Sequence, residues 1–313
     1  MSKTLENIGR VLLDHRFGWA VLILASLGPL VGIGHGHDFF MHFRRYTLSA
    51  EYGISTWFPY YAYWLIYPFA SIPHPYGLAL WNVLNALGLG WLCRYWRVNP
   101  ALLALIYPTM YMFGNGQIDG FMAAAMVISF QAHPLIAGFG LVVLSIKPQL
   151  TILIGLYVLL NRWHWQLLII PLIVLGASLL YWGLWIPEWL ISLRIASDDV
   201  RFTEWNVSYY PYSLILLPLV WYFRRQPRLL LTLTPAIVPY YAIYSLALAF
   251  TIGTRWWLFI LCWAVSLVYV LGGDYTPLWG LVIIGLVFIA YQDTQQDQRV
   301  KNDQLLPDSH PGN

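Results

Sequence analysis

The sequence predicts an all-α, polytopic membrane protein with about 10–12 transmembrane or broken helices. The first indication is composition, because 59% of the residues are hydrophobic and only 10% are charged, against about 25% charged residues in soluble domains. The second is that apolar runs follow one another along the chain with short polar stretches between them. The third is the abundance of Trp and Tyr, 17 and 22 residues, which are enriched at lipid–water boundaries.

The amino-terminal part predicts one span between two polar segments. Residues 1–16 are polar, and we expect them to form a cytoplasmic segment. The apolar run at 17–33 is expected to be an uncleaved first span, because further hydrophobic segments follow it instead of a soluble domain. The next polar stretch, residues 34–58, is expected to be an extracytoplasmic loop. A single transmembrane domain is expected over residues 17–291.

Several apolar runs in the middle of the chain are too short to cross a bilayer as straight helices. The run at 76–93 has spanning length, but the runs at 100–113, 120–131, 135–146 and 150–160 contain only 11 to 14 residues each. A spanning helix needs about 20 residues. We therefore expect broken or tilted helices that other parts of the protein shield from lipid.

The second half of the chain also contains apolar runs separated by polar stretches. A longer run at 165–185 leads into a polar stretch, residues 186–210, which is expected to be a second extracytoplasmic loop. The run at 229–250 contains two prolines, and it could form one span or two short legs; the flanking charges favour two legs. Residues 292–313 contain many Gln, Asp, Pro and Gly and predict a disordered tail.

Charge predicts how the chain is oriented. If the amino terminus is cytoplasmic, the loops on that side carry arginines without any acid, as the positive-inside rule expects. These arginines are Arg94, Arg97, Arg162, Arg224, Arg225 and Arg228. Asp38, Asp119 and Lys147 then share the opposite face. We expect a multi-pass protein of a bacterial cell membrane, with its site on the extracytoplasmic side. The net charge of +3 is small and scattered, so we expect no nucleic-acid partner.

The stretch 115–149 places polar residues at both ends of a pair of apolar runs. Each run is about 18 Å long as a helix, and the His-Pro pair at 133–134 predicts a turn between them. Asp119 and Lys147 should therefore return to the same side of the bilayer. Polar groups in such apolar surroundings usually face protein or water and mark a site. The polar residues of this stretch are Asn115, Gln117, Asp119 and Lys147.

A second polar group lies in the first expected loop. It consists of His35, His37, Asp38 and His42. Imidazoles and a carboxylate this close in sequence can converge on one cation, and Asp38 would then be a metal ligand. A glycine-rich loop that holds histidines at an interface needs no metal, and our expectation is that no metal or other cofactor is bound.

Several segments together resemble a known family. They are DFFMHF after the first apolar run, the aromatic FPYYAYWLIYPFASIPHPYGLALW, then NPALLALIYPTMYMFGNGQIDGFMAAA with AGFGLVVLSIKPQ and NRW, and more loosely TPAIVPYY at 234–241. With these motifs the chain resembles the polyprenol-phosphate-mannose-dependent mannosyltransferases, a branch of the C-type (GT-C) membrane glycosyltransferases. The resemblance covers residues 38 to about 163 well. Where this chain has TPAIVPYY, the family pattern is Ser-Pro followed by Trp and His, and this chain has neither Trp nor His in the segment.

The resemblance implies a GT-C-like fold and a specific reaction. A hexose, expected to be mannose, moves from a polyprenyl-phosphate sugar donor to a hydroxyl of a lipid or glycan acceptor, with inversion and without a nucleotide sugar. An acceptor hydroxyl is a poor nucleophile, and Asp38 is expected to act as its general base. Lys147, joined by Arg44 or Arg45, is expected to stabilise the departing phosphate. Hydrogen bonds to the sugar are expected from Gln117, Asn115 and Asp119.

Each assignment has a structural alternative. Asp38 could be a solvated loop carboxylate, and Lys147 could reach the interface as a helix-end anchor, as could Arg44 and Arg45. Gln117 and Asn115 could simply cap a helix that begins near residue 118. Asp119 could be paired with Lys147 as a structural couple.

Two other functional classes also stay open. A transporter or lipid flippase would use broken helices and buried charge too, but its two halves should contain similarly interrupted segments, and we find none in the sequence. A non-catalytic partner in envelope glycan biosynthesis would keep the fold and lose the site. Asp38, Gln117 and Lys147 occur together, which favours an enzyme.

Overall fold

The structure is a computed structural model, and the residues it describes are 15–49, 57–197, 206–272 and 276–305. These residues are helical, apart from connecting segments and one isolated β-bridge between Asn206 and Ala242. The all-α fold class is therefore confirmed for this part of the chain. Most of the expected cytoplasmic segment 1–16 lies outside the described residues.

The first half of the described chain forms helices of very different lengths. In order, they are α1 (His15–Ser26), a 3₁₀ turn (Gly28–Val31), a π-helix (Phe39–Arg44), α2 (Arg45–Ser49), α3 (Ala62–Ala70), α4 (Tyr76–Tyr95), α5 (Ala101–Leu105), α6 (Tyr107–Asn115), α7 (Asp119–Ser129) and α8 (Pro134–Leu144). With 20 residues, α4 is the longest of these helices, and most of it is buried.

The second half of the described chain contains two long apolar helical segments, Trp165–Trp182 and Pro277–Arg299. In order, its elements are α9 (Pro148–Asn161), a 3₁₀ turn (Trp165–Leu168), α10 (Ile169–Trp182), α11 (Ile186–Ser197), a 3₁₀ turn (Tyr212–Leu216), α12 (Leu217–Tyr222), α13 (Pro227–Ile237), a 3₁₀ turn (Ile243–Ser245), α14 (Leu246–Phe250), α15 (Trp256–Val270) and α16 (Thr276–Leu305).

Three helical segments of the described chain are long and apolar enough to cross a membrane. They are Tyr76–Tyr95, Trp165–Trp182 and Pro277–Arg299. The runs expected to be too short form α7, α8 and α9, which have 11, 11 and 14 residues. The expected count of 10–12 transmembrane or broken helices stays a prediction.

The expected first span, residues 17–33, is not one continuous helix. Helix α1 ends at Ser26, and a separate 3₁₀ turn with Pro29 at its start follows. Proline has no backbone N–H to continue the helical hydrogen bonds, and its ring clashes with the preceding turn.

The run at 229–250 is also divided. Helix α13 stops before the extended residue Val238, and helical structure resumes only at Ile243. The run therefore forms two helical segments, and their arrangement as two membrane legs stays a prediction.

The expected disordered tail is wrong for residues 292–305. Helix α16 continues without interruption from its apolar part to Leu305. Two ion pairs hold this polar extension to the rest of the protein: Arg255 pairs with Asp293 at 2.9 Å, and Arg228 pairs with Asp297 at 3.1 Å. Polar composition alone missed these distant partners. Residues 306–313 lie outside the described part of the chain.

Both expected extracytoplasmic loops contain helix. In the loop predicted at 34–58, the described residues include the π-helix and α2, and the loop predicted at 186–210 begins with α11. The remaining parts, residues 50–56 and 198–205, are not among the described residues.

Helices α7 and α8 form the hairpin that the sequence predicts. His133 is extended, with φ −75° and ψ 119°, and Pro134 occupies the first turn of α8, a position that proline favours because its missing N–H would have no partner there. Lys147 is the N-cap residue of α9, where Pro148 starts a new helix. Asp119 and Lys147 therefore lie at the same end of the hairpin.

Glycines allow α4 and α7 to approach each other closely. A Cβ on Gly88 would collide with the carbonyl oxygen of Gly120, and a Cβ on Gly120 would collide with the backbone of Asn85. Small residues at helix contacts let backbones come together where apolar burial alone gives little specificity. This contact fixes α7, and hence the residues at its start, against α4.

Replacement of Gly120 by alanine should destabilise the fold. The new methyl group must displace the backbone of α4, and such overpacking costs about 1–3 kcal/mol of unfolding free energy. Gly155→Ala is the matched control, because Gly155 lies within α9 with open space around its Cα, and alanine there should be neutral or stabilising by up to about 1 kcal/mol. Thermal unfolding in detergent, followed by Trp fluorescence, measures both. Equal melting temperatures for wild type and Gly120→Ala would contradict the close contact.

Candidate functional site

The site forms where two glycine-containing segments, residues 34–38 and 114–118, meet. The N–H of Gly36 donates to the carbonyl of Gly114 at 2.8 Å, and a Cβ on Gly34 would collide with Gly114. Gly34 and Gly36 have φ values of +83° and +62°, a region that side chains disfavour. The contact brings Asp38, which follows the first segment, to the turn that precedes α7.

Two buried side chains of α4, Trp81 and Asn82, hold the second segment and the residue before it in place. The indole N–H of Trp81 donates to the carbonyls of Gly116 and Gln117 at 2.9 and 3.0 Å. The amide of Asn82 donates to the carbonyl of Phe113 at 2.9 Å. The backbone carbonyls of this turn therefore have partners that come from a different helix.

Asn85 supplies the cap of α7. Its side-chain oxygen accepts a hydrogen bond from the N–H of Gly120 at 2.8 Å. The N-cap position, Ile118, makes no side-chain cap bond. The alternative in which Gln117 and Asn115 cap this helix is therefore wrong, and Gln117 remains available for other contacts.

Asp38, Gln117, Lys147 and Asp119 form one continuous chain of hydrogen bonds. The amide nitrogen of Gln117 donates to Oδ2 of Asp38. Nζ of Lys147 donates to the amide oxygen of Gln117 at 3.1 Å and to Oδ1 of Asp119 at 2.8 Å. A glutamine amide suits this bridging position, because its oxygen accepts from the ammonium while its nitrogen donates to the carboxylate.

The inner end of this chain is buried. The side chain of Lys147 is 4% exposed and that of Asp119 is completely buried, so the alternative of Lys147 as an interfacial anchor is wrong and the paired alternative is confirmed. The second oxygen of Asp119 has no partner among the described residues. The Tyr244 ring lies 5.0 Å from Nζ of Lys147 and adds a favourable cation–π contact.

Asp38 forms the accessible end of the chain, with 14% of its side chain exposed. Its Oδ1 lies 3.1 Å from Nδ1 of His37 and 3.9 Å from Nε2 of His42. The His42 ring packs 4.5 Å from Trp57. One ligand atom from each of these three residues lies within 4.8 Å of the others, so they could hold a metal ion. His35 is not part of this group.

Three expected site residues lie apart from the hydrogen-bond chain. Nε of Arg44 donates to the carbonyl of Ala70 at 2.9 Å, and thereby satisfies the carboxyl end of α3. Arg45 is exposed, with its guanidinium 5.9 Å from the Tyr46 ring. Asn115 is half-buried at the end of α6. The structure therefore brings together Asp38, Gln117, Asp119 and Lys147, without the two arginines.

Two tyrosines near the site were not predicted. Tyr240 and Tyr244 hydrogen-bond to each other, and both lie within electrostatic reach of Asp38 and Asp119. Tyr240 lies within the TPAIVPYY segment and Tyr244 lies three residues after its end, so the sequence indicated this region but neither individual tyrosine. For the α4 side chains the available signal was the pair Asn82 and Asn85, three residues apart in an apolar helix. Buried amides in such helices need partners from neighbouring elements.

Comparison with known proteins gives no neighbour for this architecture. No family model matches the chain, and neither the curated proteins nor the solved structures contain a match.

The Lys147–Asp119 pair should behave as a coupled unit. Lys147→Met leaves an uncompensated buried carboxylate, and removal of one partner of a buried pair costs about 3–5 kcal/mol. The double variant Lys147→Met/Asp119→Leu removes both charges and should lose less stability than Lys147→Met alone. Thermal unfolding of the purified variants measures these differences.

The control for this experiment is Arg225→Met, which removes an exposed cation and should change stability by less than about 0.5 kcal/mol. The buried pair would be contradicted if Lys147→Met melted like this control. It would also be contradicted if the double variant lost as much stability as Lys147→Met alone, or more.

Proposed function

We propose that this chain is a membrane glycosyltransferase. In this proposal it moves a hexose, mannose foremost, from a polyprenyl-phosphate sugar to a hydroxyl of a lipid or glycan acceptor. The observation that carries the proposal is the position of Asp38. It is a partly exposed carboxylate fixed at the end of a hydrogen-bond chain whose other members are buried. The motifs shared with polyprenol-phosphate-mannose-dependent mannosyltransferases supply the reaction type.

Asp38 is the proposed general base. Glycosyl transfer to a hydroxyl needs a group that takes the hydroxyl proton as the bond to the sugar forms, and a positioned carboxylate can do so. Gln117 occupies Oδ2 of Asp38 and so fixes the rotation of the carboxylate. Oδ1 is turned toward the two histidines, and this oxygen is the one proposed to accept the proton.

Lys147 and Asp119 are the proposed positioning residues. Lys147 is buried and its charge is matched by Asp119, so it acts on Gln117, and through Gln117 on Asp38. Stabilisation of the departing phosphate by Lys147 would then be electrostatic, across the Gln117 amide, instead of a direct contact. Asn115 and Tyr240 are the polar groups proposed to contact the sugar.

A membrane location supports the use of a lipid-linked donor. Three helices in the described part of the chain have the length and composition of membrane spans, and one of them, Trp165–Trp182, buries only 11% of its residues inside the protein. An apolar helix with so little protein around it suits a lipid environment. We propose a multi-pass arrangement of 10–12 transmembrane or broken helices in a bacterial cell membrane, with Asp38 on the extracytoplasmic face.

Replacement of Asp38 by asparagine should slow sugar transfer at least about 100-fold. Asparagine keeps the size of the side chain but cannot take the hydroxyl proton, and loss of a general base lowers rates about 10²–10⁴-fold. The assay is transfer of label from polyprenyl-phosphate mannose to membrane lipids by the purified protein. Asp297→Asn is the control, because Asp297 is exposed and belongs to α16. Its transfer rate should equal that of wild type.

Two outcomes would contradict the proposal. One is an Asp38→Asn variant that transfers sugar as fast as wild type. The other is a folded wild-type protein that transfers no hexose from any polyprenyl-phosphate donor tested, as expected of a non-catalytic partner or a transporter.

A further inference from the structure

The side chains of His37, Asp38 and His42 converge on one point at the edge of the site. Nδ1 of His37 and Nε2 of His42 lie 3.1 and 3.9 Å from Oδ1 of Asp38. All three ligand atoms lie within 4.8 Å of one another. Two imidazole nitrogens and one carboxylate oxygen form a donor set that binds transition-metal dications.

The local backbone produces this convergence. Asp38 directly precedes the π-helix Phe39–Arg44, and residues four apart in a helical turn lie on the same face. Asp38 and His42 therefore point in the same direction, and His37 joins them from the preceding residue. A short π-helix is rare and is often found at functional sites.

The contacts around the three residues also suit a metal centre. Gln117 donates to Oδ2 of Asp38 and leaves Oδ1 directed to the two imidazoles. The His42 ring is held 4.5 Å from Trp57. Partners of this kind, which orient a ligating carboxylate or imidazole, are a regular feature of protein metal sites. The side chain of His37 is 56% exposed, so an ion can arrive from solvent and His37 can rotate inward to close on it.

We propose that His37 Nδ1, Asp38 Oδ1 and His42 Nε2 bind a dication of the zinc class. Ligand bonds of about 2.0–2.2 Å to Zn²⁺ place ligand atoms roughly 3.3–3.6 Å apart, so the present arrangement must contract by about 1 Å at its widest separation. The nitrogen-rich donor set disfavours Mg²⁺ and Ca²⁺, which prefer oxygen ligands throughout. Three protein ligands leave a coordination position open.

Metal binding has a consequence for the proposed transfer reaction. The metal would bind Oδ1, the oxygen proposed to accept the proton, and its positive charge would lower the basicity of the whole carboxylate, so Asp38 would become a much weaker base for the acceptor hydroxyl. Zinc should therefore inhibit the transferase. This consequence rests on the proposed function, whereas the binding of the ion does not.

The binding test uses the purified full-length protein, stripped of metal with a chelator. Zn²⁺ and Co²⁺ are titrated in competition with a chromophoric chelator, and wild type should bind one ion per chain. His37→Ala and His42→Ala should each weaken binding at least about 100-fold, since loss of a ligand exceeds the roughly 10–100-fold cost of losing an outer partner. His35→Ala is the matched control in the same segment and should bind like wild type.

Several results would overturn the site. They are no binding by wild type at micromolar Zn²⁺, binding of Mg²⁺ as tight as that of Zn²⁺, or His37→Ala binding like wild type. If His42→Ala does not fold, His37→Ala still decides the question, because the His37 side chain is more than half exposed and its removal leaves the packing in place. The size-exclusion elution volume and the melting temperature of each variant are compared with those of wild type, to show that the variant is folded.

The inhibition test measures the zinc concentration that halves sugar transfer. Wild type and His35→Ala should be inhibited equally. In His37→Ala, whatever its uninhibited rate, at least about 10-fold more zinc should be needed to halve the rate of transfer. Equal zinc sensitivity in His37→Ala, or stimulation of wild type by zinc, would overturn the inhibitory role. Wild type that binds zinc with the expected variant pattern but never transfers sugar would leave the metal site standing and remove the transferase.

Discussion

The site depends on the buried ammonium of Lys147. A charge enclosed by protein is tolerated only when it is paired and hydrogen-bonded, and Asp119 and the Gln117 amide supply those partners. The pairing of Lys147 with Asp119 and Gln117 also depends on the backbone. The hairpin of α7 and α8 must bring Lys147 back to the end of α7 where Asp119 lies, and the turn before α7 must direct the Gln117 side chain inward. Asp38 is the last residue of this hydrogen-bond chain, and the hydrogen bond from Gln117 orients its carboxylate.

Close backbone contact makes the arrangement possible. Glycines at 34 and 114 let the segment before Asp38 lie against the turn before α7. The contact between Gly88 and Gly120 sets α7 against α4. Side chains of α4 then satisfy the carbonyls of the turn and cap α7 through Asn85. The carbonyls of Phe113, Gly114, Gly116 and Gln117 therefore have partners although the surroundings are apolar.

The sequence predicted the part of this structure that depends on neighbouring segments of the chain. Two short apolar runs with a His-Pro turn between them predict a hairpin, and at its open end Nζ of Lys147 lies 2.8 Å from Oδ1 of Asp119. The sequence did not predict contacts between distant segments. Arg44 donates to the end of α3 instead of joining Lys147, and Asn85 caps a helix 35 residues away. Such pairings depend on helix packing, for which residue spacing gives no signal.

The end of the chain shows the same limit. Its polar composition predicts disorder, yet α16 is helical to Leu305 because arginines from two earlier segments pair with Asp293 and Asp297. The family resemblance likewise indicated TPAIVPYY without indicating which residues in or near it approach the carboxylates. The fold of the connection after α13 brings Tyr240, from this segment, and Tyr244, from just beyond it, near Asp38 and Asp119.

We propose that Gln117 acts in sugar transfer through Asp38. A double-variant cycle on the transfer rate, with Gln117→Leu, Asp38→Asn and the two combined, separates this role from an independent one. Misorientation of the base by Gln117→Leu should slow transfer about 100-fold. Once Asp38 is already asparagine, the second change should have almost no further effect, because residues that act as one unit are not additive. If the two losses multiplied in the combined variant, Gln117 would act independently of Asp38, and its positioning role would be wrong.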